Sequence, residues 1–185
     1  MPDTDRVVTP AEGRPSPPWD PHAAVPAPLR LHRCTVSPRW VDYNRHMSES
    51  CYLLVFGDDA DAFFRFIGID EDYRARGRSL YTVETHLHHR REVTEGEPLS
   101  LTLQVLDHDA RRVHLFHEMH HGTSGVLLAS AEQMLVHVDT HQGRSCPMPD
   151  DLQERVSAVA AAHASLARPA VVGRPMRIDH DREDR

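Results

Sequence analysis

Three polar residues stand two apart in a short segment between predicted elements: Asp42, Asn44 and His46. If the segment is extended, their side chains project to the same side at intervals of about 6–7 Å. A carboxylate can activate water or attack a carbonyl carbon, an amide N–H can hold a carbonyl oxygen, and an imidazole can transfer a proton. On spacing alone an alternative stays open, in which Asp42 and Asn44 make turn hydrogen bonds and His46 caps or packs.

An amphipathic helix is predicted directly after these residues, from about Ser48 to Gly68. Its apolar residues recur at spacings of three and four. These are Tyr52, Val55, Phe56, Ala60, Phe63, Phe64 and Ile67. Ser48 is placed to cap the helix, whose free N-terminal N–H groups favour a developing oxyanion. Asp58, Asp59 and Asp61 are expected at a solvated or subunit-facing edge.

The remaining segments predict an antiparallel sheet. Leu29–Ser37 is a predicted strand, and after the helix the apolar period changes to two in four segments joined by short turns. Those segments are Leu80–Val93, Leu99–Asp107, Arg112–His121 and Val126–Asp139. A last helix is predicted after Pro149, ending before Pro169. The fold class is therefore α+β: an antiparallel sheet of about five strands wrapped around one long central helix, plus a C-terminal helix.

Length and composition predict one main domain flanked by two tails. A chain of 185 residues that is 39% hydrophobic can build a single sizeable core. The proline-rich segment 1–28 is expected to be a disordered or loosely docked arm, with Trp19 pinning part of it. The domain itself is assigned to 29–140. A helical extension, 141–168, and a polar tail, 169–185, complete the organisation.

Charge and hydropathy exclude several classes of protein. The formal net charge of −7 argues against a nucleic-acid-binding protein. No apolar run approaches the ~18–20 residues that a membrane span needs, and the N-terminus lacks the pattern of a signal peptide. We therefore expect a cytoplasmic protein without a membrane partner. Because Cys34, Cys51 and Cys146 are widely spaced, a disulfide framework is not expected.

Two separated motifs give the sequence a family resemblance. In chain order they are Asp42-x-Asn44-x-His46-Met47 and His89-Arg90-Arg91-Glu92-Val93. Their order around the helix resembles the hotdog-fold thioesterases of the 4-hydroxybenzoyl-CoA thioesterase-like group, especially the acyl-ACP thioesterase branch. The resemblance covers about residues 29–140 and implies a hotdog fold and an acyl-CoA thioester hydrolase. It also implies that Asp42, Asn44, His46 and Glu92 are catalytic. Arg45 departs from relatives, which commonly have Gly or Gln there.

A narrower resemblance links the chain to thioesterases encoded beside or fused to carnitine dehydrogenases, which are thought to hydrolyse betainyl-CoA. It is carried by Trp40–Asp70, Tyr81-Thr82-Val83-Glu84-Thr85 and Glu132-Gln133-Met134. It implies a short, polar acyl group. Trp40 and Tyr43 bracket Asp42, and Glu84 lies on a neighbouring strand. Aromatic faces near a carboxylate suit a quaternary ammonium, although the two aromatic rings can equally pack against the core.

Two other functions are compatible with the residues. His86-x-His88-x-x-x-Glu92 is similar to the first metal motif of cupins and raises a metal-dependent enzyme as one alternative, but the flanking glycines of that motif are absent. A non-catalytic hotdog module that binds an acyl group or another small ligand is the other. The thioesterase interpretation predicts no metal and no cofactor, since coenzyme A is part of the substrate.

The predicted helix is too apolar to be covered by one five-stranded sheet, so we expect two subunits to join their sheets edge to edge, as a homodimer or within a tetramer. The phosphates of an acyl-CoA need a local cationic patch on an acidic chain. The candidates are Arg74, Arg76, Arg78, Arg90, Arg91, Arg111 and Arg112.

Overall fold

The computed structural model describes residues 8–14 and 19–176. The strands are β1 (Arg33–Thr35), β2 (Arg78–His89), β3 (Pro98–His108), β4 (Arg112–His121), β5 (Leu127–Asp139) and β6 (Arg144–Ser145). The helices are α1 (Glu49–Phe66), α2 (Glu71–Ala75) and α3 (Asp150–His163). The strands form one antiparallel sheet in the order β1-β3-β4-β5-β2, and β6 pairs with the end of β5.

The long helix α1 packs against one face of this sheet, as the sequence predicts. Phe56 and Phe63 on the helix are fully buried, and so is Leu103 on the facing strand β3. Alternate residues of β3 point to the opposite face, because successive side chains of a strand alternate. Within the described residues, no helix is long and apolar enough to cross a membrane.

The edges of several elements differ from the prediction. The predicted strand Leu29–Ser37 is reduced to β1, and Leu29 pairs with Leu103 only as an isolated bridge. The short elements α2 and β6 were not predicted, because five and two residues are too few to show a period. Asp70 caps α2 by accepting the N–H of Tyr73 at 2.9 Å.

Three aspartates on α1 are buried, so the prediction of a solvated or subunit-facing edge is wrong. Asp58, Asp59 and Asp61 are at most 8% exposed. Asp59 is fully buried, and its Oδ2 accepts a hydrogen bond from Nδ1 of the fully buried His117 at 2.8 Å. Burial, together with the neighbouring Asp61, raises the pKa of the Asp58 carboxyl to about 6. The apolar period of a helix does not reveal partners on a distant strand, and for that reason the sequence misplaced these residues.

The described parts of the N-terminal arm, 8–14 and 19–28, are in contact with the domain. The Thr9 hydroxyl donates to Asp61 Oδ2 at 2.6 Å. Trp19 packs its ring edge-on against Phe66, with 5.5 Å between ring centroids, and so pins the arm as predicted. Outside the described residues lie 1–7 and 15–18 of the arm and 177–185 of the tail.

Buried histidines make stability depend on pH. Nδ1 of His163 accepts the backbone N–H of Val105 at 2.9 Å, and its Nε2 donates to the Pro26 carbonyl at 3.0 Å. The bond from Val105 requires the neutral ring, because a protonated Nδ1 cannot accept, whereas Nε2 can donate to Pro26 in either protonation state. Burial lowers the pKa of His163 below its usual value, and it does the same for His32 and His137.

We predict that the free energy of unfolding falls as pH drops from 7.5 to 5.5. These three histidines, and His88 with them, have a lower pKa in the folded state, so the unfolded chain binds more protons in this window and is stabilised by acidification. Asp58 has a raised pKa and acts in the opposite direction, but it is one group against four. Urea denaturation at pH 7.5 and at pH 5.5 measures the difference in the free energy of unfolding. His163→Gln should make that difference smaller. Equal or greater stability at pH 5.5 would contradict this assignment.

Candidate active site

The segment from Val41 to Met47 is a tight hairpin. The Asp42 N–H donates to the His46 carbonyl at 3.0 Å, and the Arg45 N–H donates to the Asp42 carbonyl at 2.9 Å. The segment is therefore not extended, and the condition for placing the three side chains on one side is not met. Arg45 has a φ of 67°, in the left-handed region, which costs an L-residue about 1–2 kcal/mol. Glycine adopts this conformation freely, which explains why the thioesterases that this chain resembles commonly have glycine at this position.

The turn fixes one carboxylate oxygen of Asp42 and leaves the other available. Oδ1 of Asp42 accepts the backbone N–H of Asn44 at 2.8 Å, an Asx-turn bond of the kind that the alternative interpretation expected. Within the described residues Oδ2 has no hydrogen-bond partner. The side chain of Asp42 is thus oriented by the hairpin and can still contact a water or a substrate carbonyl.

Backbone pairing brings the two sequence motifs together. The Met47 N–H donates to the Val93 carbonyl at 2.8 Å, and His46 forms a β-bridge with Thr94. Glu92 precedes Val93 and is exposed beside the hairpin. The structure therefore places the segment carrying Glu92 against the segment carrying Asp42 and His46.

Tyr52 anchors the second motif on the first turns of α1. Its hydroxyl donates to the Arg91 carbonyl at 3.3 Å, and its ring meets His89 edge-on at 4.8 Å. Burial and then the charge of Glu92 raise the pKa of Tyr52. The apolar spacing of the sequence placed Tyr52 only in the apolar stripe of the helix. The available signal was its hydroxyl, since a buried tyrosine O–H usually has a partner.

The N-terminus of α1 completes the site. Ser48 occupies the N-cap position as predicted, but its side chain makes no capping hydrogen bond. The Cys51 N–H donates to the Ser48 carbonyl at 2.9 Å. Within the described residues the N–H groups of Glu49 and Ser50 have no partner, so they remain available to a carbonyl or oxyanion. The Ser48 N–H donates to the Trp40 carbonyl at 2.8 Å, which holds the start of the helix against the hairpin. A carboxylate and a set of free N–H groups are thus held side by side, an arrangement suited to acyl transfer to water.

The three residues predicted to bind the acyl group lie on different elements and differ in exposure. Trp40 is half-buried and packs against the apolar cluster beneath the hairpin. Tyr43 is 93% exposed at the tip of the turn. Glu84 lies on β2 and pairs with His86 at 3.0 Å.

The residues of the cupin-like motif lie apart in the fold. His86 and His88 are on β2, whereas Glu92 follows the end of that strand. Among residues 8–14 and 19–176, no group of three His, Cys, Asp or Glu side chains is placed to hold a metal ion.

Comparison with known proteins gives consistent results. Residues 36–156 match the thioesterase-like superfamily. The chain is 45% identical over 147 residues to L-carnitine dehydrogenase/betainyl-CoA thioesterase of Rhizobium meliloti, covering 80% of this chain but only 30% of that protein. It is 43% identical over 147 residues to betainyl-CoA thioesterase of Pseudomonas aeruginosa, covering 79% of this chain and 92% of that protein.

A solved structure supports the fold. A Staphylococcus aureus protein in complex with CoA superposes with a TM-score of 0.77 at 24% identity, covering 85% of this chain and 100% of that one. At this identity the likeness concerns the fold alone. Together with the match to the superfamily, it confirms the α+β hotdog fold, in which a curled antiparallel sheet packs around a central helix.

Proposed function

The chain belongs to the thioesterase-like superfamily, and from that premise we propose that it is an acyl-CoA thioesterase hydrolysing betainyl-CoA to betaine and free coenzyme A. The observation that carries the proposal is the hydrogen-bonded contact between the Asp42 hairpin and the Glu92 segment at the N-terminus of α1. The Pseudomonas aeruginosa relative supports the choice of substrate, because this chain covers nearly all of it. The first curated relative is much longer, and the chain spans only 30% of it.

Hydrolysis requires a nucleophile, an acceptor for the oxyanion and a proton for the leaving thiolate. In the proposal the carboxylate of Asp42 either activates a water or attacks the thioester carbonyl carbon itself. In the first route the water oxygen bonds to the carbonyl carbon, the C–S bond breaks, and the proton that the water gives up ends on the sulfur of coenzyme A. In the second route a carboxylate oxygen of Asp42 displaces the sulfur and forms a mixed anhydride, and a water then hydrolyses the anhydride, which restores the carboxylate and supplies the proton of the thiol. The Asn44 amide and the N–H groups of α1 stabilise the oxyanion. His46 and Glu92 are the groups proposed to move protons. Coenzyme A enters only as part of the substrate, and we propose no further cofactor.

The acyl group is proposed to be recognised through its positive charge. Aromatic faces attract a quaternary ammonium by about 0.5–2 kcal/mol each. Trp40 and Tyr43 flank Asp42, and Glu84 adds a carboxylate on β2. Tyr43 and Glu84 are exposed in the single chain, so both are free to contact a substrate or a second subunit.

The free edge of the sheet supports a dimer. β2 lies at the end of the strand order, and within the described residues it pairs only with β5. It is 12 residues long and exposes Tyr81 and Val83 at 53% and 60%. A long apolar edge strand tends to pair with another chain. We therefore propose an isologous homodimer through β2, which would bring the Glu84-bearing strands of two chains together.

Replacing the Asp42 carboxylate tests its proposed catalytic role. Asp42→Asn should nearly abolish hydrolysis of betainyl-CoA, because the amide neither activates water nor attacks the carbonyl. Asn44→Ala should raise the barrier by about 2–4 kcal/mol, the usual cost of losing one oxyanion donor. Thiol release measures turnover, and the exposed Asp72→Asn is the matched control. If Asp42→Asn retains most of its turnover, Asp42 is not the catalytic group and Glu92 takes its place.

The second prediction concerns the positive charge of the acyl group. 3,3-Dimethylbutyryl-CoA has the shape of betainyl-CoA with carbon in place of the ammonium nitrogen. We expect kcat/KM for betainyl-CoA to exceed that for 3,3-dimethylbutyryl-CoA by about tenfold or more. One or two cation–π contacts together with a carboxylate supply a free-energy difference of that size. Glu84→Gln should lower the ratio of kcat/KM for betainyl-CoA to kcat/KM for 3,3-dimethylbutyryl-CoA. Equal values for the two esters, or a preference for palmitoyl-CoA, would rule out charge recognition.

The third prediction concerns assembly. Light scattering during size exclusion should show at least a dimer at micromolar concentration, because burial of Tyr81 and Val83 between two β2 strands favours association. Replacing both residues with glutamate should shift the mass toward the monomer. A monomeric wild-type protein would contradict pairing through β2.

A further inference from the structure

A groove of about 640 Å³ lies on the face of the sheet opposite α1. Ser100 and Thr102 of β3 form part of its wall, and they alternate with the buried Leu99, Leu101 and Leu103 that face the helix. The turn joining β4 to β5 closes one side and contributes Ser124. The groove is therefore a polar depression lined by hydroxyl groups, and it is not part of the hydrophobic core.

Two free arginines line this groove. Neither Arg30 nor Arg33 makes an ion pair within the described part of the chain, although the chain carries an excess of seven negative charges. The carboxylate lining the groove is Glu118, which is paired with His120 at 3.2 Å. An unpaired guanidinium in a cleft is suited to bidentate binding of a phosphate.

Several arginines favoured by the sequence are engaged elsewhere. Arg112 pairs with Asp109 at 2.6 Å, and Arg74 with Asp61 at 3.4 Å. Arg76 lies over the ring of Tyr73. Arg30 and Arg33 were not among the candidates, because the sequence does not show that the start of β1 and the residues before it lie beside the β4–β5 turn.

The groove lies close to the candidate active site. Thr94, which bridges to His46, begins a turn closed by the Glu97 N–H donating to the Thr94 carbonyl at 3.3 Å. Pro98 follows and lines the groove. The ends of a β-turn lie within about 7 Å of each other. A single turn therefore separates the groove from Val93 and Thr94, the two residues that pair with the active-site hairpin.

We infer that this groove binds the nucleotide end of coenzyme A, with Arg30 and Arg33 on its phosphates. Its volume is in the range of about 300–1,000 Å³ that small-molecule sites occupy, and exceeds what a single phosphate needs. The flexible pantetheine arm of the substrate then runs past the turn at Thr94 to place the thioester beside Asp42. The inference rests on the proposed function for the identity of the ligand.

The test combines binding with kinetics, using the double variant Arg30→Gln, Arg33→Gln and the exposed Arg168→Gln as its control. Calorimetry with adenosine 3′,5′-bisphosphate measures the groove without any hydrolysis. We expect wild type and control to bind alike, and the double variant to bind about tenfold or more weakly. In kinetics the double variant should raise KM for betainyl-CoA at unchanged kcat. It should leave hydrolysis of betainyl-pantetheine, which lacks the nucleotide, as in wild type.

Equal binding of the bisphosphate by wild type and double variant, or no binding by wild type, would overturn the inference. So would an unchanged KM for betainyl-CoA. If wild type hydrolyses neither ester but binds the bisphosphate through the two arginines, the anion site stands and the thioesterase proposal fails. If both esters are hydrolysed with the same KM by wild type and double variant, the thioesterase proposal stands and the groove is not its nucleotide site.

Discussion

The candidate site depends on one short backbone pairing, the hydrogen bond from the Met47 N–H to the Val93 carbonyl at 2.8 Å. It joins a hairpin before the central helix to a segment far along the chain, between β2 and β3. The side chains of both residues are buried, so the bond lies away from water, where it is stronger than at the surface. Without it the two motifs would be separate surface loops. With it, a carboxylate, an imidazole and a helix N-terminus share one end of the sheet.

The core beneath this site is divided in two by a polar pair. On α1, Asp59 lies between Phe56 of one apolar cluster and Phe63 of the other, and His117 lies at the equivalent level of β4. A buried carboxylate is costly away from its partner. The pair therefore favours one axial position of the helix on the sheet. That position sets where α1 begins, and hence where its free N–H groups meet the hairpin.

The sequence predicted the fold and the long elements well, because α1 and β3 to β5 are long enough to show their periods clearly. It predicted the contact between the two motifs only through a family resemblance. The sequence left open whether the segment from Asp42 to His46 is extended or turned, since two-residue spacing does not reveal the left-handed Arg45 that turns the chain. The partners of Asp59 and Tyr52 were missed for a related reason. Such pairs join residues distant in sequence, and no local pattern encodes them.

The central claim is that the thioester carbonyl is bound between Asp42 and the N-terminus of α1. The most direct measurement is a crystal structure of the protein with a betainyl-CoA analogue in which a methylene replaces the thioester sulfur. The account predicts that the carbonyl carbon lies about 3–3.5 Å from the Asp42 carboxylate or from a water bound to it, with the carbonyl oxygen directed toward the first N–H groups of α1. A carbonyl bound elsewhere, with Asp42 facing bulk solvent, would contradict it.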